Sequence, residues 1–178
     1  MARPGRVVLA GAATGLLLVA FGKGMQTGTT PTVSIVPESI DIPSIDVDAP
    51  LMKLGLSKDG EVELPPYEKP KVAGWYSGSA VPGEKGASVI IGHVDTKTAP
   101  AVFYKLRQLR KGETVKVERS DGKVVSFKVD AIEQVHKDSF PTRRVYLEDG
   151  LRLVTCGGKF DYAKGEYLDN IIVYASRA

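Results

Sequence analysis

The stretch LRLVTCGG, residues 151–158, carries the only cysteine of this 178-residue chain at the end of an apolar run, directly before two glycines. A short apolar run bounded by turn residues predicts a buried β-strand. A single thiol cannot form an intramolecular disulfide. Cys156 is therefore a small core residue, half of an intermolecular disulfide, or a nucleophile.

A second stretch, GEKGASVIIGHVDT at residues 83–96, has the same design. An apolar strand, Ser88–Ile91, leads into Gly92 and then His93, which is one of two histidines in the chain. Side chains presented at strand ends are common positions for functional sites. A thiol and an imidazole placed in this way predict acyl transfer, in which a thiolate attacks a carbonyl and an imidazolium protonates the leaving amine.

Each of these residues also has a simpler interpretation. An isolated cysteine is more often buried packing than a nucleophile, and an isolated histidine is more often a hydrogen-bonded loop residue. The joint occurrence of the two at similar strand ends makes the catalytic and structural interpretations about equal. The other histidine, His136, is followed by Lys and Asp and is predicted to be a solvated loop residue.

The hydrophobic pattern predicts many short strands and one helix. Residues 39–50 alternate as a half-buried strand with a bulge or an edge at Pro43, and Asp121-Gly122 marks a hairpin. One stripe of Val102, Phe103, Leu106 and Leu109 predicts a helix over Ala101–Leu109. Such a composition favours a closed or nearly closed β-barrel. The further predicted strands are Leu51–Leu56, Ala87–Ile91, Glu113–Glu118, Val124–Val135, Leu151–Cys156 and Ile171–Ala175.

The N-terminus has the pattern of a membrane-targeting segment. Arg3 and Arg6 precede the apolar run of residues 7–21, and this charge placement predicts a cytoplasmic N-terminus with the rest of the chain outside the cell. The run is short for a membrane span and also matches a signal peptide, so a cleaved signal and a retained anchor both remain open. We predict a cytoplasmic tip and anchor over residues 1–22, a linker over 23–38 and the exported domain over 39–178.

Charge and composition exclude some functions. The formal net charge is +3, but residues 31–178 carry 21 basic and 21 acidic side chains. The sequence has no basic stripe of the kind that binds nucleic acid, so we do not predict that function. No His/Cys/Asp cluster has metal-ligand spacing, so we predict neither a metal nor another cofactor.

The motifs together resemble the sortase family. GHVDT with His93 and LVTCGG with Cys156 look like the family's catalytic motifs, in the family's order. The segments GWYSGSAVPGEKGASVIIGHVD (74–95), FPTRRVY (140–146) and CGGKFDYAKGEYLDNIIVYA (156–175) look like class F sortases of high-GC Gram-positive bacteria. The resemblance covers the whole exported domain.

The resemblance implies an all-β fold, an eight-stranded β-barrel with one or two short helices, preceded by the N-terminal membrane segment. It implies a transpeptidase that cleaves an LPXTG-like sorting signal on exported proteins. On this resemblance Cys156 forms an acyl-thioester, and His93 protonates the departing amine and then deprotonates the amino group of a peptidoglycan precursor. Sortases usually stay tethered, which favours an uncleaved anchor and a single-pass cell-membrane protein with an extracellular catalytic domain.

The chain departs from the family at its catalytic arginine. Many relatives have YRDN where residues 167–170 read YLDN, so Leu168 occupies the expected position. Arg152 lies four residues before Cys156, on the same face of a continuous strand, and we predict that it contacts the backbone of the sorting signal. A rim arginine in a surface ion pair is an equally good interpretation.

Three more residues are assigned to the candidate site. We predict Thr155 and Asn170 in substrate binding, with Asn170 or the backbone near Gly157 supplying oxyanion donors. Asp95 could orient His93 through a hydrogen bond, or could face water. Two other functions remain open at this stage: a membrane-anchored β-barrel binding module with an inert cysteine, and a thiol peptidase that only hydrolyses.

Overall fold

Residues 34–178 of the chain are described in a computed structural model. They form eight strands and few, short helices, which confirms the predicted all-β class. One α-helix, α1 (Thr142–Tyr146), lies between the sixth and seventh strands, and three short 3₁₀ helices occupy connections. The strands are β1 (Pro37–Ile42), β2 (Val47–Leu54), β3 (Ala73–Tyr76), β4 (Ala87–Ile91), β5 (Thr114–Arg119), β6 (Val124–His136), β7 (Gly150–Asp161) and β8 (Glu166–Arg177).

The strands close into a barrel in the order β1-β2-β3-β4-β7-β8-β6-β5, with β5 paired back to β1. Two neighbouring pairs are parallel, β2 with β3 and β4 with β7, and the others are antiparallel. Closure leaves no unpaired edge strand among residues 37–177. The parallel pairing of β4 and β7 brings together two segments that lie far apart in the sequence.

Alternation along the strands divides the apolar side chains between two clusters. Leu151 and Leu153 of β7 point into the barrel, where they pack with Phe103, Leu106 and the inward residues of the other strands. Val154 points outward and packs with Ile91, Ile172 and Val145 of α1. The short helix therefore covers an outer patch of β4, β7 and β8, and the face of β7 that carries residues 152, 154 and 156 lies on this side.

Residues 39–50 do not form one bulged strand, and this prediction is wrong. The chain reverses at a 3₁₀ turn over Pro43–Ile45, and Asp46 adopts a left-handed conformation with φ of 56°. Ile42 then pairs with Val47, so the segment is the antiparallel pair β1–β2. Proline restricts its own backbone and favours a turn at this point. The predicted strand Leu51–Leu56 is the end of β2, and the hairpin at Asp121-Gly122 is confirmed.

The helix predicted over Ala101–Leu109 is also wrong, although its apolar stripe is buried as expected. The segment consists of turns and a 3₁₀ helix at Leu106–Gln108. Its backbone donors bond to other segments: the N–H of Val102 donates to Pro70 and that of Phe103 donates to His93. Donors used in this way cannot form the i→i−4 bonds of an α-helix.

The predicted anchor and most of the predicted linker lie outside the described residues. Strand β1 begins at Pro37, close to the predicted start of the domain at residue 39. Within residues 34–178, no helix is both long enough and apolar enough to cross a bilayer.

Candidate active site

The parallel register of β4 and β7 places His93 level with Cys156. Ile90 pairs with Leu153 and Ile91 pairs with Val154. The N–H of Gly92 donates to the carbonyl of Val154 at 3.1 Å, so the chain follows β7 beyond the end of β4. Two positions past the pair Ile91–Val154 are His93 on one chain segment and Cys156 on the other. Cys156 shares the outer face with Val154, because side chains alternate along β7.

Gly92 is required between the strand and the histidine. A Cβ on this residue would lie 2.6 Å from the ring of Phe103 and 2.7 Å from Val102. Contacts this short would force either the aromatic ring or the backbone to move. Because position 92 has no side chain, Val102 and Phe103 can pack directly against the backbone next to His93.

His93 is held by a loop that the sequence did not single out. Only 7% of the residue is exposed, its Nε2 lies 2.6 Å from the carbonyl oxygen of Pro65, and its ring stacks on Tyr67 with centroids 4.2 Å apart. Because a carbonyl oxygen can only accept, Nε2 carries a proton and Nδ1 is left for proton transfer. The Pro65-Pro66-Tyr67 sequence looks like an ordinary loop, so no sequence signal pointed to this contact.

Cys156 is half-buried on the outer face of β7, directly opposite Asn170 of β8. Burial raises the pKa of its thiol, and the carboxylates of Asp95 and Glu166 raise it further. The ammonium group of Lys137 acts in the opposite direction and lowers this pKa. The thiol is therefore accessible, unlike a core cysteine, but its surroundings favour the neutral form.

Asp95 is bonded to β8. The hydroxyl of Tyr167, on β8, donates a hydrogen bond to its carboxylate, and this bond is the main reason that the pKa of Tyr167 rises to about 12. The bond joins the start of β8 to the loop that follows His93. The predicted orientation of His93 by Asp95 stays a prediction, without a direct hydrogen bond between the two among the described residues.

Arg152 shares the outer face with Cys156, but its guanidinium group is used by the fold. The residue is 4% exposed, and it donates hydrogen bonds of 2.9 to 3.1 Å to four backbone carbonyls. It also lies over the ring of Tyr174. These contacts fasten α1 and the following loop to the barrel. The four carbonyls belong to Arg144, Glu148, Asp149 and Leu151. The predicted contact of Arg152 with a sorting signal stays a prediction.

Asn170 and Thr155 lie on opposite faces of the sheet. Asn170 is the cross-strand neighbour of Cys156 and turns toward the same face, within reach of the site. Thr155 pairs with Ile171 and points inward; within residues 34–178 its Oγ1 is buried and has no hydrogen-bond partner. The structure therefore brings Asn170, and not the side chain of Thr155, to the side of Cys156.

The two glycines after Cys156 continue β7 rather than ending it. A bulge interrupts the pairing with β8 between Gly157 and Phe160, and Gly158 has φ of +75°. A Cβ on Gly157 would lie 2.7 Å from Ile171, and one on Gly158 would collide with the carboxylate of Asp169. The glycines thus make room for side chains of β8 next to the thiol.

The site contains the parts of a thiol acyltransferase. A half-buried thiol lies on β7, an imidazole with one nitrogen available lies two residues past the end of the adjacent parallel strand β4, and Asn170 lies opposite the thiol. This pairing suits nucleophilic attack on a carbonyl with proton transfer to the leaving group. Within the described part of the chain, no group of three His, Cys, Asp or Glu side chains could hold a metal ion.

His136 is exposed at the end of β6, where its Nδ1 accepts a hydrogen bond from the N–H of Asp138.

Comparison with known proteins identifies the class. A model of the sortase domain matches residues 40–178, which is most of the chain. The protein belongs to the sortase family. No curated protein sequence matches it.

Solved sortases have the same fold. Sortase C of Streptococcus pneumoniae is 26% identical with a TM-score of 0.59, over 80% of this chain and 68% of that one. Sortase C-1 of Actinomyces oris is 26% identical with a TM-score of 0.60, over 79% and 72%. Sortase A of Corynebacterium diphtheriae is 25% identical with a TM-score of 0.57, over 80% of this chain and 60% of that one. The chain thus spans about 60 to 72% of the length of these sortases.

Proposed function

We propose that this protein is a cysteine transpeptidase of the class F type. It cleaves an LPXTG-like sorting signal on exported proteins and joins the new carboxyl end to an amino group of a peptidoglycan precursor. The family supports the reaction type. The motifs at residues 74–95, 140–146 and 156–175 support the class. One observation carries the proposal most: the β4–β7 register that sets His93 level with Cys156.

The chemistry follows from these two groups. The Cys156 thiolate attacks the carbonyl carbon of the signal's threonine, a C–S bond forms, and the C–N bond to the next residue breaks. His93, protonated at Nδ1, gives that proton to the departing amine. The acceptor amine then attacks the thioester and returns a proton to His93, and the thiolate leaves. The bond from Nε2 to Pro65 holds the imidazole in place throughout.

The environment of Cys156 makes the reactive form scarce. Because burial raises the pKa of the thiol, most of the protein near neutral pH carries a neutral cysteine. The reaction as written needs the thiolate of Cys156 together with a protonated His93, and burial of the thiol makes this combination a minority of the protein. We therefore expect slow turnover with an optimum in pH, because the reaction needs a thiolate and a proton on the imidazole at the same time.

The test is incubation of the protein with an LPXTG peptide and an excess of an amine, read by mass spectrometry. We expect the amide of the truncated peptide with the added amine, and an acyl-protein adduct that is absent from the Cys156→Ala variant. Truncated acid alone would identify a hydrolase. If neither product forms, or if Cys156→Ala cleaves equally well, the protein is a binding module or uses another nucleophile.

A further inference from the structure

Position 168, where many relatives carry arginine, is a leucine here, and the arginines of β7 and β8 are hydrogen-bonded elsewhere. Arg152 donates to four backbone carbonyls. Arg177, at the far end of β8, donates to the carbonyl of Gly83. A transpeptidase that needs a thiolate and passes through an oxyanion benefits from a positive charge near the sulfur.

Strand register brings Lys137 to the site. Cys156 of β7 pairs with Asn170 of β8, and Asn170 pairs on its other side with Val135 of β6. Directly paired residues point to the same face, so these three side chains form one row on the outer face. Lys137 follows Val135 by two positions, in the 3₁₀ helix that ends β6.

An ion pair holds the ammonium group of Lys137. Its Nζ lies 2.7 Å from Oε2 of Glu166 at the start of β8, and one third of the lysine side chain is exposed. The pair connects the end of β6 to the strand opposite Cys156. A lysine tethered in this way has fewer positions available than a free surface lysine, so its charge has a defined location.

The charges around the thiol come from three elements. Lys137 lowers the pKa of Cys156, whereas Asp95 of the loop after β4 and Glu166 of β8 raise it. The phenol of Tyr167, with a pKa of about 12, is neutral near neutral pH. The imidazole of His93 is a further titratable group of the candidate site. Lys137 is thus the cation that opposes both burial and the two carboxylates.

We propose that Lys137 supplies the positive charge that favours the thiolate of Cys156, in the role left open by Leu168, and that Glu166 positions its ammonium group. The catalytic role of this charge rests on the proposed function. The physical coupling of Lys137 to the thiol is independent of any substrate. Lysine provides a point charge and not the planar fork of arginine, so this site stabilises charge without bidentate recognition of a carbonyl.

The test measures the rate at which iodoacetamide alkylates Cys156, as a function of pH, in wild type and in Lys137→Met, Lys137→Arg and Lys159→Met. Only the thiolate reacts, so the midpoint of each profile reports the ionisation of the thiol. We expect the midpoint to rise by about 0.5 pH unit or more in Lys137→Met, and to stay near wild type in Lys137→Arg. Lys159→Met is the matched control, because this exposed lysine is closer to Cys156 in sequence, and we expect its loss to leave the midpoint near wild type.

Glu166 is tested by repeating the Lys137→Met substitution in a Glu166→Gln background. If Glu166 positions the lysine, the shift caused by Lys137→Met becomes smaller there; an equal shift would refute the positioning role. An unchanged midpoint in Lys137→Met, or an equal shift in Lys159→Met, would overturn the proposal for Lys137. Alkylation needs no sorting signal, so a failure of the proposed function leaves this test intact.

Discussion

At the scale of single residues, the two histidines of the chain have opposite environments. His93 is buried between the Pro65 carbonyl and the Tyr67 ring, whereas His136 is exposed at the end of β6. We expect His93→Ala to lower turnover of an LPXTG peptide by about 10²–10⁴-fold, which is typical for loss of a general acid–base group. His136→Ala should stay near wild type. Steady-state kinetics decide this, and an equal loss in both variants would show that His136 also serves the reaction.

Arg152 provides a prediction about stability at the same scale. Its replacement by methionine leaves four carbonyls without their donor, and we expect a loss of about 3 kcal/mol in the free energy of unfolding. Arg143→Met is the control, because Arg143 is exposed on the same short helix and should change stability little. Urea denaturation measures both. A variant Arg152→Met that is as stable as wild type but inactive would favour the predicted contact with the sorting signal instead.

At the scale of elements, the bulge of β7 sets the backbone beside the thiol. Gly158 and Gly122 both have φ of +75°, so an alanine at either position costs about 1 kcal/mol from the backbone. A Cβ at Gly158 would also collide with Asp169, whereas one at Gly122 meets nothing within 4 Å. We therefore expect Gly158→Ala to lose at least about 1 kcal/mol more than Gly122→Ala in urea denaturation.

The same pair of variants separates stability from activity. Asp169 accepts a hydrogen bond from Gln134, so its displacement disturbs β6 and β8 next to Cys156. Gly158→Ala should slow peptide cleavage at a temperature at which it is fully folded, and Gly122→Ala should not. Equal stability of the two variants would mean that Asp169 moves aside without cost.

At the same scale, local hydrophobic patterns predicted some elements correctly and others not. The buried stripe at residues 101–109 was found from its spacing, but the segment is not an α-helix, because its donors bond to Pro70 and His93 instead. The strand β3 went unpredicted, since four residues carry too little alternation to stand out. The longest pattern, over residues 124–135, corresponds closely to β6.

At the scale of the whole molecule, we propose that the N-terminal segment stays in the membrane with Arg3 and Arg6 inside the cell. Positive charge before an apolar run orients the segment in this way. Mass analysis of the protein isolated from membranes should find the apolar residues 7–21 still attached to the catalytic domain. A mature chain that begins at Lys23 would show that the segment is a cleaved signal.

The sequence by itself determined the class of fold and predicted Cys156 and His93 as the reactive pair. Alternation and apolar runs identified most of the strands, because a strand's burial pattern is written in consecutive residues. The placement of His93 and Cys156 after apolar runs, each beside glycine, identified them as a pair. The order of these motifs identified the family, which the sortase-domain match confirms.

Only the tertiary structure decided what surrounds the pair. The contacts of His93 with Pro65 and Tyr67, the bond from Tyr167 to Asp95, and the approach of Lys137 all join segments that are distant in sequence. Barrel closure and the parallel pairing of β4 with β7 set these distances. Neither feature produces a periodic pattern in the sequence from which it could be predicted. The bonds of Arg152 could not be predicted for the same reason: the period of two predicted its strand face, but not the carbonyls of α1 and the following loop that accept from it.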